Sequence, residues 1–297
     1  MSRAKQIFHL VEQAFETALA LGVATARFPQ AFYRVPAVPP KPVIIFGNGP
    51  SSEAAITALL PFRDRFLVGC VNDFYRREAF RRLKPDFCFI SDPMYWLPET
   101  DHIYGAPLRA ELLRIDWPMA LFLPFEGRKA FKAPGTHASC VSVFPFNRTN
   151  AWGFMPVKRL FYRLGLGMPR PQNVLVAALF LLLKGGARRL YLSGAEHLWH
   201  QTLHLSENNV LHVVHASGGT DSDKMVPFYK IEGKEVFTVP EIFAAWAAVH
   251  ESYHELNVWA GDLGAKIENA TPNTFIDAFP RTTMARVLAA SDGQGGQ

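Results

Sequence analysis

Four short stretches place small, amide or carboxylate side chains directly after apolar runs: Gly47-Asn48-Gly49-Pro50-Ser51-Ser52, Asn72-Asp73, Ser91-Asp92-Pro93 and Ser193-Gly194-Ala195-Glu196. Side chains of these types can bind one polar ligand together if the fold gathers them. In the first stretch, Gly47 and Gly49 would let the backbone approach a ligand closely and adopt positive φ. Pro50 suits a first helical turn, where its missing N–H costs nothing. Ser51 or Ser52 would add a hydroxyl beside the free N–H groups of a helix start, which favour anions such as phosphate. The pattern is not a Walker A loop, because no Lys-Ser/Thr follows. It also lacks the third glycine of G-x-G-x-x-G and the acid at the ribose position. Asn72 could meet a ligand amide or cap a helix, and Asp92 before Pro93 could bind a ligand or begin a turn.

Five of the ten histidines fall between His197 and His215. His197, His200 and His204 are spaced i, i+3, i+7, which a helix would bring to one face. His212 and His215 follow a turn marked by Asn208-Asn209. Two chemistries fit imidazoles in this density, a metal site or a mobile lid carrying an acid or base. H-E-x-x-H and a cysteine partner are both missing, which argues against metal. Ala216-Ser217-Gly218-Gly219 after His215 would let such a lid open and close. An imidazole with a pKa of about 6.5 can take a proton from a hydroxyl near neutral pH.

The elements that would position these groups alternate. Val43–Phe46, Phe66–Val71, Phe87–Ile90, Pro118–Leu123, Arg189–Leu192 and Ala265–Asn269 read as short strands. Ser51–Leu60, Phe74–Leu83, Val174–Leu183 and Pro240–Leu256 read as helices. Short all-apolar strands separated by helices predict an α/β fold, a Rossmann-like, mostly parallel sheet with helices on both faces. Ligands then bind beyond the carboxyl ends of the strands. Residues 1–40 form an N-terminal helix and a Pro-rich linker with Pro36, Pro39 and Pro40. Residues 41–290 form the α/β domain with a small lid at 196–235, and 291–297 a flexible tail. Residues 124–171 read as irregular loops with one helix at most.

The 297 residues carry 31 Lys and Arg against 26 Asp and Glu, a formal charge of +5, and 49% are hydrophobic. That apolar share supports a large core and excludes disorder. The basic excess is too dispersed for a nucleic-acid partner; its densest set, Arg76 to Lys84, reads as a solvated helix face. Cys70, Cys88 and Cys140 are odd in number and widely spaced, which points to buried thiols in a reducing compartment. Residues 3–27 have apolar positions at helical spacing interrupted by Glu12, Gln13 and Glu16, an amphipathic helix too polar for a signal peptide or a membrane span. Val174–Leu183 is shorter than the ~20 residues a bilayer crossing needs. The expectation is a soluble, cytoplasmic protein whose first helix packs on the main domain. Peripheral contact with the inner membrane and homo-oligomerisation are the partner surfaces left open.

Val43-Ile44-Ile45-Phe46-Gly47-Asn48-Gly49-Pro50-Ser51 and Val71-Asn72-Asp73-Phe74-Tyr75 resemble the opening of the bacterial sialyltransferases of glycosyltransferase family 42. Ser91-Asp92-Pro93-Met94-Tyr95 resembles the family's next strand end. Leu190-Tyr191-Leu192-Ser193-Gly194-Ala195-Glu196 is similar to its late strand, and Asn269-Ala270-Thr271-Pro272-Asn273 to its C-terminal strand and loop. His212-Val213-Val214-His215 looks like its Tyr-x-x-His, whose histidine is the base. The resemblance spans about residues 40–295, with specificity only in these patches.

The resemblance implies a CMP-sugar donor held on a Rossmann-like sheet under a lid, a saccharide or glycolipid acceptor, and no metal or other cofactor. Asn48, Gly49 and Ser51 would contact the donor's phosphate and ribose, while Asn72 and Asp92 would contact the nucleotide and sugar. Glu196 at the late strand's end, Gln172, Asn173 and His212 would also contact the nucleotide donor. His215 would deprotonate the acceptor hydroxyl for inverting transfer. The family's two lid tyrosines, which hold the leaving phosphate, fall at Leu198 and His204; His204 can donate a hydrogen bond and Leu198 cannot. The tyrosine before the base is His212, and Gln172 and Asn173 replace the serine before the late helix. A nucleotide-dependent diphosphokinase-like enzyme using Mg²⁺ is the alternative, as is an inactive nucleotide-sugar-binding protein.

Overall fold

The structure, a computed structural model, describes residues 3–27, 33–133, 135–214, 225–228, 230 and 235–290. In chain order the elements are α1 (Arg3–Ala26), β1 (Val43–Phe46), α2 (Ser52–Leu59), β2 (Leu67–Val71), α3 (Glu78–Leu83), β3 (Phe87–Phe89) and α4 (Gly105–Leu112). Then come β4 (Met119–Pro124), α5 (Arg128–Lys132), β5 (Val141–Phe146), α6 (Met155–Leu164), α7 (Val174–Lys184) and β6 (Arg189–Ser193). After these follow β7 (Leu203–Leu205), β8 (Leu211–Val214), β9 (Met225–Pro227), α8 (Val239–Asp262), β10 (Lys266–Asn269) and α9 (Met284–Ala290).

Seven strands form one parallel sheet in the order β10-β6-β1-β2-β3-β4-β5, a Rossmann-like α/β fold. Val43 and Ile45 of β1 join one core with α7 and α8, while Ile44 and Phe46 join the other with α2 and α3. A strand buried on both faces must be apolar at every position, and all four residues of β1 are buried. α7 runs through the first core with every residue from Leu175 to Leu183 buried. The chain lays down β1 to β5 in one direction, then returns to place β6 on the other side of β1. Strand order therefore reverses between β1 and β6, the kind of switch point at whose carboxyl ends open parallel sheets bind ligands.

Cys70 and Cys88 face each other in register on β2 and β3 as buried free thiols. The segment expected to be irregular contains α5, α6 and the edge strand β5. Pro145 lies in β5, and a parallel edge strand tolerates a proline that a central strand would not. In the expected lid region, β7, β8 and β9 form a small antiparallel sheet.

α1 departs from expectation. Its buried residues are Ala20 and Ala24, and Thr17 accepts the Phe154 N–H at 3.0 Å. Its large apolar residues point outward: Ile7, Phe8, Leu10, Val11, Phe15, Leu19 and Leu21 are 50–72% exposed. Contrary to the expectation of a helix too polar to span, Lys5–Ala26 is, among the described residues, long and apolar enough to cross a membrane.

Candidate functional site

The first turn is glycine-dependent, but for a different reason than expected. Neither Gly47 nor Gly49 has positive φ. A Cβ on Gly47 would lie 2.3 Å from the Gly194 carbonyl oxygen, and one on Gly49 would lie 1.5 Å from Glu196 Oε2. Close approach between the β1 and β6 exits excludes side chains here. The Gly47 and Gly49 N–H groups donate to Ser193 O and Gly194 O, both at 2.9 Å. Positive φ sits instead at Gly194 (68°), Asn72 (45°) and His197 (55°). Non-glycine residues in that region are uncommon and mark positions held by their surroundings.

Glu196 occupies the start of α2. Its Oε1 accepts the Ser51 N–H at 2.8 Å, so the anion at this helix N-terminus is the chain's own carboxylate. Glu196 Oε2, Ser51 Oγ and Ser193 Oγ, all at the exits of β1 and β6, are buried without hydrogen-bond partners. Such a group of unpaired polar atoms is costly unless a ligand or water completes it. Pro50 precedes the N-cap residue, Ser51, instead of opening the helix.

From this point a line of contacts runs along the carboxyl edge. Asn48 is exposed at the turn's tip, and its Nδ2 donates to Val71 O at 3.2 Å, joining the exits of β1 and β2. Asn72 Oδ1 accepts the Ser91 N–H at 3.5 Å, joining β2 to β3. Asp92 accepts the Met94 N–H at 3.0 Å and so begins a short 3-10 turn. Burial pushes the Asp92 carboxyl up from its ordinary range, and nearby Arg148 partly offsets this. Arg148 also donates to Ser91 O at 3.3 Å, adding a cation to this edge.

In the other direction the line continues through His197. Its Nε2 lies 2.7 Å from Tyr253 Oη, its ring stacks on Trp199 at 4.1 Å, and burial lowers its pKa to about 3. Tyr253 Oη also lies 3.5 Å from Asn173 Oδ1. Asn173 caps α7 by accepting the Leu175 N–H at 2.8 Å. Gln172 is exposed and accepts from Arg170.

The fold thus gathers Asn48, Gly49, Ser51, Asn72, Asp92 and Glu196 along one edge, with Asn173 reached through Tyr253 and His197. It does not place His204 or His212 there. Those two face each other across β7 and β8, and His212 Nδ1 contacts Val210 O at 2.9 Å. The helix that would align His197, His200 and His204 does not form. Trp199–Thr202 is a 3-10 turn that enters β7, so His197 is buried, His200 packs on Phe275 and His204 is exposed. His215 lies outside the described residues.

Sequence reasoning missed Tyr253, His250 and Arg148. His250 and Tyr253 are spaced i, i+3 on the expected late helix, which was the available signal. Among the described residues no group of three His, Cys, Asp or Glu side chains is placed to hold a metal ion. The loop after β10 closes the edge: Thr274 Oγ1 donates to Ala195 O at 2.6 Å and the Phe275 N–H to Glu196 O at 2.7 Å. Behind that loop lies a cavity of about 760 Å³, lined by His250, His254, Phe275, Asp277 and Arg281 among others. His254 Nε2 stands 3.1 Å from Asp277 Oδ1.

No protein-family model matches the chain, and no curated protein matches it significantly. Among solved structures, the chain is similar to the MAf glycosyltransferase from Magnetospirillum magneticum AMB-1, at 15% identity and a TM-score of 0.43 over 92% of this chain. It spans 41% of that protein's length. It is also similar to an oxidoreductase of the short-chain dehydrogenase/reductase family from Brucella ovis, solved with a partially ordered NAD, at 13% identity and a TM-score of 0.29. That match covers 86% of this chain and 91% of the oxidoreductase. At these scores neither likeness decides function.

Proposed function

We propose that this chain is an inverting glycosyltransferase that uses a CMP-linked, sialic-acid-like donor and a saccharide or glycolipid acceptor. One observation carries the reading. The strand exits around the β1/β6 switch point present Asn48, Asn72, Asp92 and a buried, partly unpaired Ser51/Ser193/Glu196 group in a single line. The exposed Asn48 amide meets the donor's phosphate, and Asn72 and Asp92 meet nucleotide and sugar. Glu196 already satisfies the start of α2, so the donor phosphate binds beside that carboxylate or displaces it.

His215, whose role rests on the resemblance, takes the proton of the acceptor hydroxyl. The hydroxyl oxygen attacks the anomeric carbon in line, the carbon–oxygen bond to the phosphate breaks, and CMP leaves with the electron pair. The cavity behind the 274–281 loop suits the acceptor. The Phe275 ring offers a face for sugar C–H groups, and Asp277 and Arg281 offer hydrogen bonds to hydroxyls.

The test is turnover of a CMP-sugar in the presence of a chelator. His215→Ala is expected to slow it by ~10²–10⁴-fold, the usual contribution of a general base. Strict dependence on ATP and Mg²⁺, with indifference to His215→Ala, would establish the diphosphokinase-like reaction instead. CMP binding without any turnover would establish an inactive binder.

A further inference from the structure

Away from the β1/β6 switch point, at the β5 edge of the sheet, a cavity of about 700 Å³ is lined by Arg34, Arg128, Lys129, Lys132, Tyr33 and Phe144, among others. Among the described residues none of these four cations has a carboxylate partner. Glu126, next in sequence to Phe125 of the cavity wall, is paired instead with Arg27 at 3.7 Å and Arg148 at 3.5 Å. Tyr33, one of the residues in the cavity wall, has its Oη buried with no hydrogen-bond partner. Four unpaired positive charges around a partly aromatic hollow favour an anion carried on an apolar body.

The second observation is α1. Its polarity is inverted: small and polar residues (Gln13, Thr17, Ala20, Ala24) face the domain, and Phe8, Val11, Phe15 and Leu19 face out at 52–72% exposure. An apolar surface of seven large side chains exceeds what a soluble monomer ordinarily shows. The helix is fixed in this pose. Thr17 sits so close over Gly153 that a Cβ there would be 1.9 Å from Thr17 Oγ1. The two features adjoin. Ala20 and Ala24 share one apolar layer with Tyr33 and Phe144, and Arg27, just past the helix end, reaches Glu126 beside the cavity wall.

We infer that α1 and the cationic cavity together form a docking surface for an anionic phospholipid bilayer. The outward face of α1 lies in the interface plane and the cavity receives a lipid phosphate. Charge complementarity selects this occupant, because a second copy of the chain would bring the same unpaired cations to the contact. α1 lies on the membrane and does not cross it, because Glu12 and Glu16 interrupt its length and Ala20 and Ala24 stay packed on the domain.

Co-sedimentation of the full chain with vesicles tests the inference. One set is phosphatidylcholine alone, and the other carries about 30% phosphatidylglycerol. The expected result is binding to the anionic set only, weakening as salt rises. Phe8→Ser with Phe15→Ser should abolish it. Lys129→Ala and Lys132→Ala should each lower the partition about fivefold, the share of one basic residue near such a surface. Near-ultraviolet circular dichroism confirms that each variant keeps its fold; a variant that does not is replaced by Leu19→Ser or Arg34→Ala. Absence of binding to either vesicle, or binding that the cation variants leave unchanged, would overturn the inference. So would a dimer by light scattering that Phe15→Ser dissolves, which would assign α1 to a second copy. Stabilisation by inorganic phosphate that the cation variants abolish, without a change in vesicle binding, would assign the cavity to a soluble anion.

Discussion

His197→Asn isolates one buried proton. In the folded chain the His197 imidazole is packed between Trp199 and Tyr253, and burial holds its pKa at about 3. In the unfolded chain it is about 6.5. The unfolded state therefore binds a proton that the folded state refuses. Stability is complete above pH 6.5 and is lost as pH falls towards 3. At pH 5 the unfolded imidazole is almost fully charged and the folded one almost fully neutral, which removes about 2 kcal/mol relative to pH 7. Asparagine is the suitable replacement, because it tolerates the backbone φ of 55° at this position and does not titrate. The variant loses the Tyr253 contact and starts about 1–3 kcal/mol less stable at pH 7, but this offset is the same at every pH. Urea unfolding at pH 7 and pH 5, extrapolated to water, gives the loss for each protein. The wild type should lose about 2 kcal/mol more than His197→Asn between the two conditions. His250, whose pKa burial also lowers, remains in both proteins and cancels to first order. Equal losses would refute the assignment of His197 as a neutral, buried link in the site.

Two further substitutions probe the edge. Gly49→Ala drives a methyl into Glu196 and the Gly194 carbonyl, and should cost about 1–3 kcal/mol in urea unfolding, the range for overpacking. Asp92→Asn keeps an acceptor for the Met94 N–H while removing a charge that burial disfavours. The Asp92 pKa is raised in the folded state, so its ionisation costs stability as pH climbs from the unfolded value through the folded one. The variant should therefore unfold at equal or higher urea concentration at pH 7, while CMP binding measured by calorimetry weakens about tenfold.

Much of the sheet was legible because its strands are buried on both faces. Runs such as Val43–Phe46 and Leu67–Val71 cannot be anything half-exposed, and the polar groups that end them fall at the carboxyl edge as the parallel topology requires. β5 was not legible, since Pro145 and its Gly- and Asn-rich surroundings read as loop until the edge position explains them. The histidine spacing suggested a helix, but His197 adopts φ of 55° and Asn209 φ of 58°, and these turns feed a hairpin that side-chain spacing alone cannot reveal. Contacts across long sequence distances were invisible. Nothing local shows that Glu196 will fill the turn at Gly49, or that Tyr253 will reach both His197 and Asn173. The same gap explains α1, whose apolar spacing was read correctly and whose direction was reversed by the small residues that seat it on the domain.

The central claim is that the β1/β6 edge holds a cytidine nucleotide, and titration of CMP into the wild type and Asn72→Gly tests it most directly. Glycine preserves the φ of 45° at this position and deletes only the amide. The account predicts saturable CMP binding in preference to UMP, AMP and GMP, weakened about tenfold in the variant. Wild-type protein that binds no nucleotide, or binds CMP equally well without the Asn72 amide, would contradict it.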